Sequence, residues 1–120
     1  MQVIVKSDVL LLPTGRGIAI IDINSILRVE AISNYSKLFF TDGRSLVVAK
    51  TLSWFDKKLA GVQFVRLHRG HLVNIGYIKD CDYLVNGDVV LVNNERLTVS
   101  RRKRMEFKKA IYHYYGHHFK

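Results

Sequence analysis

The sequence predicts a mainly β domain built from antiparallel hairpins, with one or two short helices. Short runs rich in Val, Ile, Phe and Tyr are separated by turn residues along the chain. Two of these separators, Asp42-Gly43 and Asn86-Gly87, are pairs that two-residue hairpin turns prefer. Helical spacing of apolar residues occurs only at 51–60 and after Arg101. The chain has 120 residues, so we expect a single domain, 1–120, with one core.

In the first half of the chain, strands are expected at residues 3–5, 9–12, 17–21, 27–33, 37–41 and 45–49. The run at 17–21 is continuously apolar, which indicates a strand buried on both faces or placed against a sheet edge. Residues 27–33 alternate, with Leu27 and Val29 on one face and Arg28 and Glu30 on the other. This alternation predicts a half-buried strand with both charged side chains in solvent.

The segment 51–60 is predicted to be a short helix. Its apolar positions share one face: Leu52, Phe55 and Leu59. Thr51 can cap the first turn, and Gly61 follows in the usual helix-ending position. Trp54 lies just off the apolar face, so we expect it to pack at the edge of the core rather than to serve as a binding platform.

The central segment 64–78, FVRLHRGHLVNIGYI, places the polar insert 68–71 between apolar anchors. Such a pattern predicts a rigid loop that presents side chains outward. Further strands are expected at 81–85, 88–92 and 96–100, the last with Leu97 and Val99 on its inner face. The final helix, from Arg101 to a stop at Gly116, has one apolar face: Phe107, Ala110, Ile111 and Tyr114.

The chain is strongly basic, with a formal net charge of +9. That charge favours an anionic partner: nucleic acid, acidic lipid headgroups or an acidic protein. The single cysteine, Cys81, rules out an intrachain disulfide and fits a reducing cytoplasm. Lys6 and Asp8 interrupt the apolar N-terminus, which is too short to be a secretory core or a membrane span. We therefore expect a cytoplasmic protein.

The sequence contains no pattern typical of an enzyme. No nucleophile elbow or phosphate-binding loop follows a strand, and the carboxylates are scattered singly. We expect no catalytic residues, no cofactor and no small-molecule substrate. The histidines do not complete a zinc site with the lone cysteine, and the pair three residues apart need not converge: His68, His71, His113, His117 and His118. No metal is predicted.

Basic and amide side chains are concentrated where strands are expected to end, at 34–37, 68–69 and 101–104. Arginine and lysine can contact guanine in the major groove, and asparagine can pair with adenine. Other cations at such positions would contact phosphates and fix the register without reading bases. The alternative for 101–104 is an ordinary solvated helix face.

From about Gly15 to Tyr112 the chain resembles the LytTR family of bacterial DNA-binding domains. The resemblance rests on DINSILRVEA at 22–31, SNYSKLFFTDGR at 33–44, TLSWFDKKL at 51–59, the central FVRLHRGHLVNIGYI, and LTVSRRKRMEF at 97–107. The most specific part is Phe-x-Arg-x-His-Arg followed by Leu-Val-Asn. The resemblance implies an elongated arrangement of three small antiparallel β-sheets, and DNA binding by loops that enter successive major grooves.

Carried over by position, the resemblance implies DNA contacts from three loops: Ser36 and Lys37 with Asn34 and Tyr35 beside them, then His68 and Arg69, then Arg101. Arg69 and Arg101 are expected to contact bases. Lys37, Arg102 and Arg104 are expected to contact phosphates. Asn74 and the apolar residues of the central signature are expected to be structural.

The chain departs from the family at Gly70, where serine is common, and at Ser36, where some relatives have a larger contacting side chain. Family members often follow a receiver domain, and none precedes this segment, so a stand-alone regulator is the preferred hypothesis. Such members can be held in check by a membrane-bound inhibitor or respond to a separate signalling protein.

The function predicted is sequence-specific binding of double-stranded DNA at paired sites, by a homodimer at least on DNA, to regulate transcription. Two alternatives remain open. A small β-rich RNA-binding module would stack bases on exposed aromatic rings, for which Tyr35, Phe39 and Phe40 are candidates. A basic protein-interaction domain would instead bind nucleic acid weakly and without sequence preference.

Overall fold

The computed structural model describes residues 9–59, 61, 63–82 and 87–116 and confirms the predicted fold class. Ten strands form three antiparallel sheets, of two, five and three strands, with two α-helices. Several predicted features lie outside the described residues: the strand at 3–5, helix position 60, the end of the strand at 81–85, turn residue Asn86, and the histidines His117 and His118.

The strands are β1 (Val9–Thr14), β2 (Gly17–Asp22), β3 (Ile26–Ile32), β4 (Tyr35–Phe40), β5 (Ser45–Val48), β6 (Phe64–His68), β7 (His71–Asn74), β8 (Ile78–Asp82), β9 (Asp88–Leu91) and β10 (Arg96–Thr98). The helices are α1 (Leu52–Leu59) and α2 (Arg104–Tyr115). Single 3₁₀ turns precede β3, β8 and α2.

The five-stranded sheet, in the order β5-β4-β3-β7-β6, occupies the middle of the fold. The predicted hairpin turn at Asp42-Gly43 is confirmed between β4 and β5, and Gly43 has a φ of +92°. That left-handed conformation is costly for side chains other than glycine, which explains the residue choice. At the opposite end of β4, the two-residue turn 33–34 closes the β3–β4 hairpin.

Hydrophobic cores lie on both faces of this sheet, so the expectation of one core was wrong. Neighbouring residues of β6 alternate between them, because successive side chains on a strand point to opposite faces. Phe64 packs with β1, β2 and α1, whereas Val65 packs with the three-stranded sheet and α2. The apolar runs of β6 and β7 are those of strands buried on both sides.

The N-terminal hairpin, β1 and β2, forms a sheet of its own. Its inner face buries Leu10 and Leu12, as predicted for a strand at 9–12. Its outer face leaves Leu11, Ile18 and Ile20 exposed at 54%, 66% and 71%. Of the two alternatives predicted for 17–21, burial on both faces was wrong, because β2 is an edge strand that pairs only with β1 and a single face meets the core.

Both predicted helices are confirmed. Thr51 Oγ1 accepts a hydrogen bond from Trp54 N at 3.3 Å and caps α1, and Trp54 packs at the edge of the core. In α2, Phe107 is fully buried, and Gly116 ends the helix with a φ of +64°. The apolar face differs at one position, because Tyr115 rather than Tyr114 packs against the core.

Arg28, on the central strand β3, is only 7% exposed, so the prediction that it faces solvent was wrong. Its guanidinium donates two hydrogen bonds to the carboxylate of Glu95, which follows β9, both at 3.0 Å. It also donates to Glu30 at 3.1 Å and lies 3.6 Å from the ring centroid of Phe39. Burial alone would lower the pKa of Arg28, but the hydrogen bonds to Glu95 and Glu30 outweigh it and raise the pKa.

We expect Arg28→Ala to lower the free energy of unfolding by about 1–3 kcal/mol, because the variant loses the hydrogen bonds to Glu95 and Glu30 and the packing on Phe39. Urea unfolding at neutral pH measures the change. Arg44→Ala is the matched control, since Arg44 pairs with Asp42 at 2.7 Å but its side chain is 81% exposed. Its effect should stay within about 0.5 kcal/mol. Equal losses in the two variants would contradict the structural role of Arg28.

Candidate nucleic-acid interface

Three chain segments meet at the end of the five-stranded sheet that carries the β3–β4 turn. The amide of Ala31 donates to the carbonyl of Gly70 at 2.9 Å, which joins this turn to the β6–β7 turn. The amide of Ser100 donates to the carbonyl of Leu67 at 2.9 Å, which places the segment after β10 beside the same turn. The three loops that the sequence singled out are therefore brought together by backbone hydrogen bonds.

The first segment presents Asn34 and Tyr35 at the surface, and Tyr35 is 50% exposed. Lys37 is half-buried, with its ammonium group 5.0 Å from the ring centroid of Phe39. Ser36 faces inward, because it alternates with its neighbours along β4. Its side chain is fully buried, and its hydroxyl donates to the carbonyl of Lys50 at 2.7 Å. The structure thus gives Ser36 an internal contact at this position.

The second segment is the Arg69-Gly70 turn, and the exposed side chain of Arg69 projects from it. Arg66, which lies on β6 three residues before Arg69, stabilises the turn. Its guanidinium donates to the carbonyl of His68 at 3.1 Å and to that of Arg69 at 2.8 Å. A third bond, 3.1 Å long, connects it to Asp56 on α1. We did not predict this role for Arg66, although it belongs to the central signature.

His68 closes the turn from the other side. Its Nδ1 accepts a hydrogen bond from the Gly70 amide at 3.0 Å. The spacing of His68 and His71 did not require them to converge, but the structure brings them together as direct partners in the β6–β7 register. Their ring centroids lie 5.2 Å apart with the planes nearly perpendicular.

Gly70 permits this arrangement by its lack of a side chain. A Cβ atom there would lie 3.1 Å from Cε1 and 3.3 Å from Nδ1 of His68, closer than ordinary van der Waals contact. A serine, common in the family at this position, would therefore press on the imidazole ring. Glycine at this position therefore leaves room for the His68 ring.

The third segment presents Arg101 and Arg102, both exposed. Together with the β6–β7 turn, this segment encloses an open cleft of about 570 Å³, lined by Arg66, His68, Arg69, Ser100, Arg102, Lys103 and Glu106. Lys103 and Glu106 form an ion pair at 3.6 Å. Four of the seven lining residues are cations and one is an anion, so the cleft favours an anionic ligand.

Arg104, like Lys103, is half-buried, whereas Arg101 and Arg102 are exposed. A Cβ atom on Gly87 would lie 2.6 Å from Arg104 Nε, so the guanidinium packs against the backbone just before β9. Asn74, expected to be structural, is fully buried. It donates to the carbonyl of Ile26 at 2.9 Å and accepts from the amide of Gly76 at 2.9 Å.

Burial and neighbouring cations disfavour the charged forms of both histidines. The pKa of His68 is lowered first by burial and then by Arg66 and Arg69. The pKa of His71 is lowered first by burial and then by Arg28, whose Nη1 lies 3.0 Å from His71 Nε2. Both imidazole rings therefore bind a proton less readily than an ordinary histidine does.

Across the described ranges, no three or more His, Cys, Asp or Glu side chains are grouped so that they could hold a metal ion. In the same part of the chain, none of the helices has the length and apolar character needed to cross a bilayer.

The free energy of unfolding should fall as the pH drops from 7.5 to 5.5. In the unfolded state, His68 and His71 take up protons near the ordinary histidine pKa of about 6.5. In the folded state their pKa values are lower, so the unfolded state binds more protons in this range. Urea unfolding at several pH values measures the slope. A variant with both His68→Gln and His71→Gln should show a clearly flatter slope, and an unchanged slope would contradict the assignment.

Comparison with known proteins agrees with this architecture. A family model described as the LytTr DNA-binding domain matches residues 16–112. The sensory transduction protein LytT of Bacillus subtilis (strain 168) is 30% identical over 105 residues, which are 86% of this chain and 43% of that protein. LytT of Bacillus cereus is 30% identical over 112 residues, 92% of this chain and 45% of that protein. The chain spans less than half the length of these relatives.

A solved structure has the same fold. The LytTr DNA-binding domain of a response regulator from Bacillus cereus aligns with a TM-score of 0.71 and 24% identity, covering 87% of this chain and 96% of that one. The match to the family model extends from the β1–β2 turn to the last part of α2 and includes all three surface segments. The chain therefore belongs to the LytTR family of DNA-binding domains.

Proposed function

We propose that this domain binds double-stranded DNA in a sequence-specific manner and regulates transcription in the bacterial cytoplasm. The observation that carries the proposal is the convergence of the three surface segments, with exposed Arg69 and Arg101 on two of them. Each segment is a turn or a strand end, short enough to enter a groove. DNA is the partner expected of a domain in this family, and the domain acts here without catalysis.

Arg69 is proposed to contact a base, because its side chain is free to extend while the backbone beneath it is held by Arg66. Arginine can bond both acceptors of guanine in the major groove. Arg101 is proposed to do the same from the third segment. Asn34 and Tyr35 lie at the tip of the first segment and supply polar contacts there.

Phosphate contacts are proposed for Lys37 and Arg102. His68 is proposed to support the Arg69-Gly70 turn beside the basic cleft, because its ring nitrogens face Gly70 and His71. Two further residues of the predicted set receive other roles from their packing. Ser36 is proposed to hold β4 against the segment after β5, through its bond to Lys50. Arg104 is proposed to brace the backbone at Gly87 and thereby to position the start of α2.

The structure offers little support for RNA binding by stacked bases. Of the three aromatic candidates, Phe39 is covered by the guanidinium of Arg28, and Phe40 is half-buried against the core. Only Tyr35 presents a ring at the tip of a surface segment. A stacking platform for single strands would need several exposed rings.

We expect Arg69→Ala to weaken binding to a preferred duplex by about 1–3 kcal/mol and to relax the preference at one base position. Selection from a random duplex library identifies the preferred site, and titration with that duplex measures the loss. An unchanged base preference in the variant would remove Arg69 from the base-contacting surface.

Lys37→Ala should weaken binding to all duplexes by a similar factor and reduce the dependence of affinity on salt, because a phosphate contact releases counterions. Arg44→Ala removes the same charge at the far end of the β4–β5 hairpin and is the control. If both variants lose affinity equally, the effect comes from net charge and not from a contact made by Lys37.

The domain is further proposed to act at paired sites as a homodimer on DNA. The library selection should then enrich two similar half-sites about one helical turn apart, or a small multiple of it. A single enriched half-site would contradict pairing. Retention of DNA without any enriched sequence would contradict the regulatory function, since the charge of +9 would then act alone.

A further inference from the structure

Two histidines connect the buried Arg28 to the Arg69-Gly70 turn. Nη1 of Arg28 lies 3.0 Å from Nε2 of His71. Nδ1 of His71 lies 3.4 Å from Nε2 of His68. Nδ1 of His68 accepts from the amide of Gly70 at 3.0 Å. Four ring nitrogens thus form an unbroken chain of contacts from a buried cation to the turn.

The groups at the two ends of this series of contacts, the Arg28 guanidinium and the Gly70 amide, can only donate. They therefore restrict where the protons of the two imidazole rings can lie. The Gly70 amide can only donate, so Nδ1 of His68 carries no proton and the neutral ring is protonated at Nε2. Arg28 can also only donate, so its contact requires an unprotonated Nε2 on His71. The neutral His71 ring would then be protonated at Nδ1, and two N–H groups would face each other across the 3.4 Å gap.

If both end contacts are kept, the two neutral rings therefore carry one proton too many, because the gap between His68 Nε2 and His71 Nδ1 has room for only one. The conflict is relieved when His71 takes the other tautomer, whose Nδ1 accepts from His68 and whose Nε2–H turns toward Glu30 Oε1, 3.7 Å away. The approach of Arg28 to His71 then contributes no hydrogen bond. In either tautomer of His71, His68 remains the acceptor for Gly70.

An additional proton has no position that preserves these contacts. On His71 it would place two N–H groups in the gap and a second cation 3.0 Å from Arg28. On His68 it would occupy Nδ1 and remove the acceptor that the Gly70 amide uses. The second loss removes one of the hydrogen bonds that hold the turn carrying Arg69, and leaves the Gly70 amide without this acceptor.

The surrounding cations come from several elements and also oppose this proton. Arg66 from β6 and Arg69 from the turn lie next to His68, and Arg28 from β3 lies next to His71. Arg102 and Lys103 face His68 across the basic cleft. The pair thus remains neutral until the solution becomes acidic.

The acidic groups in contact with the pair are largely engaged elsewhere. Glu30 and Glu95 favour protonation of His71, but both carboxylates accept hydrogen bonds from Arg28. Glu106 in the cleft pairs with Lys103. Asp56 lies behind Arg66 and pairs with it. None of these carboxylates offers an alternative hydrogen bond to the Gly70 amide.

We propose that His68 and His71 are positioning residues for Arg69, and that uptake of one proton by the pair opens the turn and weakens base-specific binding. The series of contacts from Arg28 through His71 and His68 to Gly70, called the relay below, follows from the geometry of the free protein. Its consequence for DNA rests on the proposed function. Ordinary electrostatics predicts the opposite sign, since a new positive charge beside DNA strengthens binding.

Imidazole ¹⁵N spectroscopy of the free protein tests the relay without DNA. At pH 7.5, His68 should be protonated at Nε2 with Nδ1 as an acceptor. Between pH 7.5 and 5.5, proton uptake should shift the Gly70 amide resonance together with His68. A His68 ring protonated at Nδ1 at neutral pH, or a Gly70 amide that does not respond to proton uptake, would overturn the relay.

Affinity for the selected duplex and for a random duplex, measured at constant salt, tests the consequence. From pH 7.5 to 5.5, specific affinity should fall by up to about tenfold, because one proton is taken up and a histidine in the open turn titrates near its ordinary value of about 6.5. Affinity for the random duplex should hold or rise. A specific affinity that stays constant or rises would overturn the positioning role. Lack of any preferred duplex at pH 7.5 would instead refute the proposed function.

His71→Gln separates positioning from simple packing, because glutamine keeps an acceptor for Arg28 but does not titrate. We expect near-normal specific affinity at pH 7.5 with a smaller loss at pH 5.5. His113→Gln removes an exposed histidine on α2 and should keep the full pH response. Circular dichroism at each pH confirms that both variants remain folded. A response in His71→Gln equal to that of the unchanged chain would overturn the role of the pair.

Discussion

The bidentate contact between Arg28 and Glu95 ties together the two sheets on which the surface segments depend. Arg28 lies on the central strand of the five-stranded sheet, and Glu95 lies beside the three-stranded one. A buried guanidinium is costly without full hydrogen bonding, and here its donors are engaged by two carboxylates and an aromatic face. The contact links the two sheets through a bidentate pair, which is more specific in geometry than a single hydrogen bond.

The relative positions of the three surface segments are set by backbone hydrogen bonds. β3 carries the first segment at its end, and the bond between Ala31 and Gly70 sets the second segment against it. The bond between Ser100 and Leu67 then places the third. The surface loops are not independent appendages, because each is hydrogen-bonded to the sheet within a few residues of its tip. Such anchoring reduces the entropy that the loops lose when they bind a partner.

Local sequence patterns were enough for the parts of the fold that form locally. The Asp42-Gly43 turn and the cap at Thr51 depend on neighbouring residues, and both were predictable. Arg28 was not, because its partner Glu95 is 67 positions away and the alternating pattern alone assigned it to solvent. The meeting of His68 and His71 depends on a register shift in β6 that no periodicity reveals. The exposed outer face of β2 has the composition of a buried strand, so composition alone misplaced it.

The bonds from Arg66 to the turn end on carbonyl oxygens, which every amino acid carries. The shape of the turn is therefore independent of the side chain at position 69. A change of that residue alters the chemical groups offered to a partner but leaves the scaffold beneath intact. Under the proposed function, a substitution at position 69 would change the base contact without requiring a compensating change in the core. In that proposal, the side chain that contacts the base and the backbone groups that hold the turn belong to the same residue but act independently.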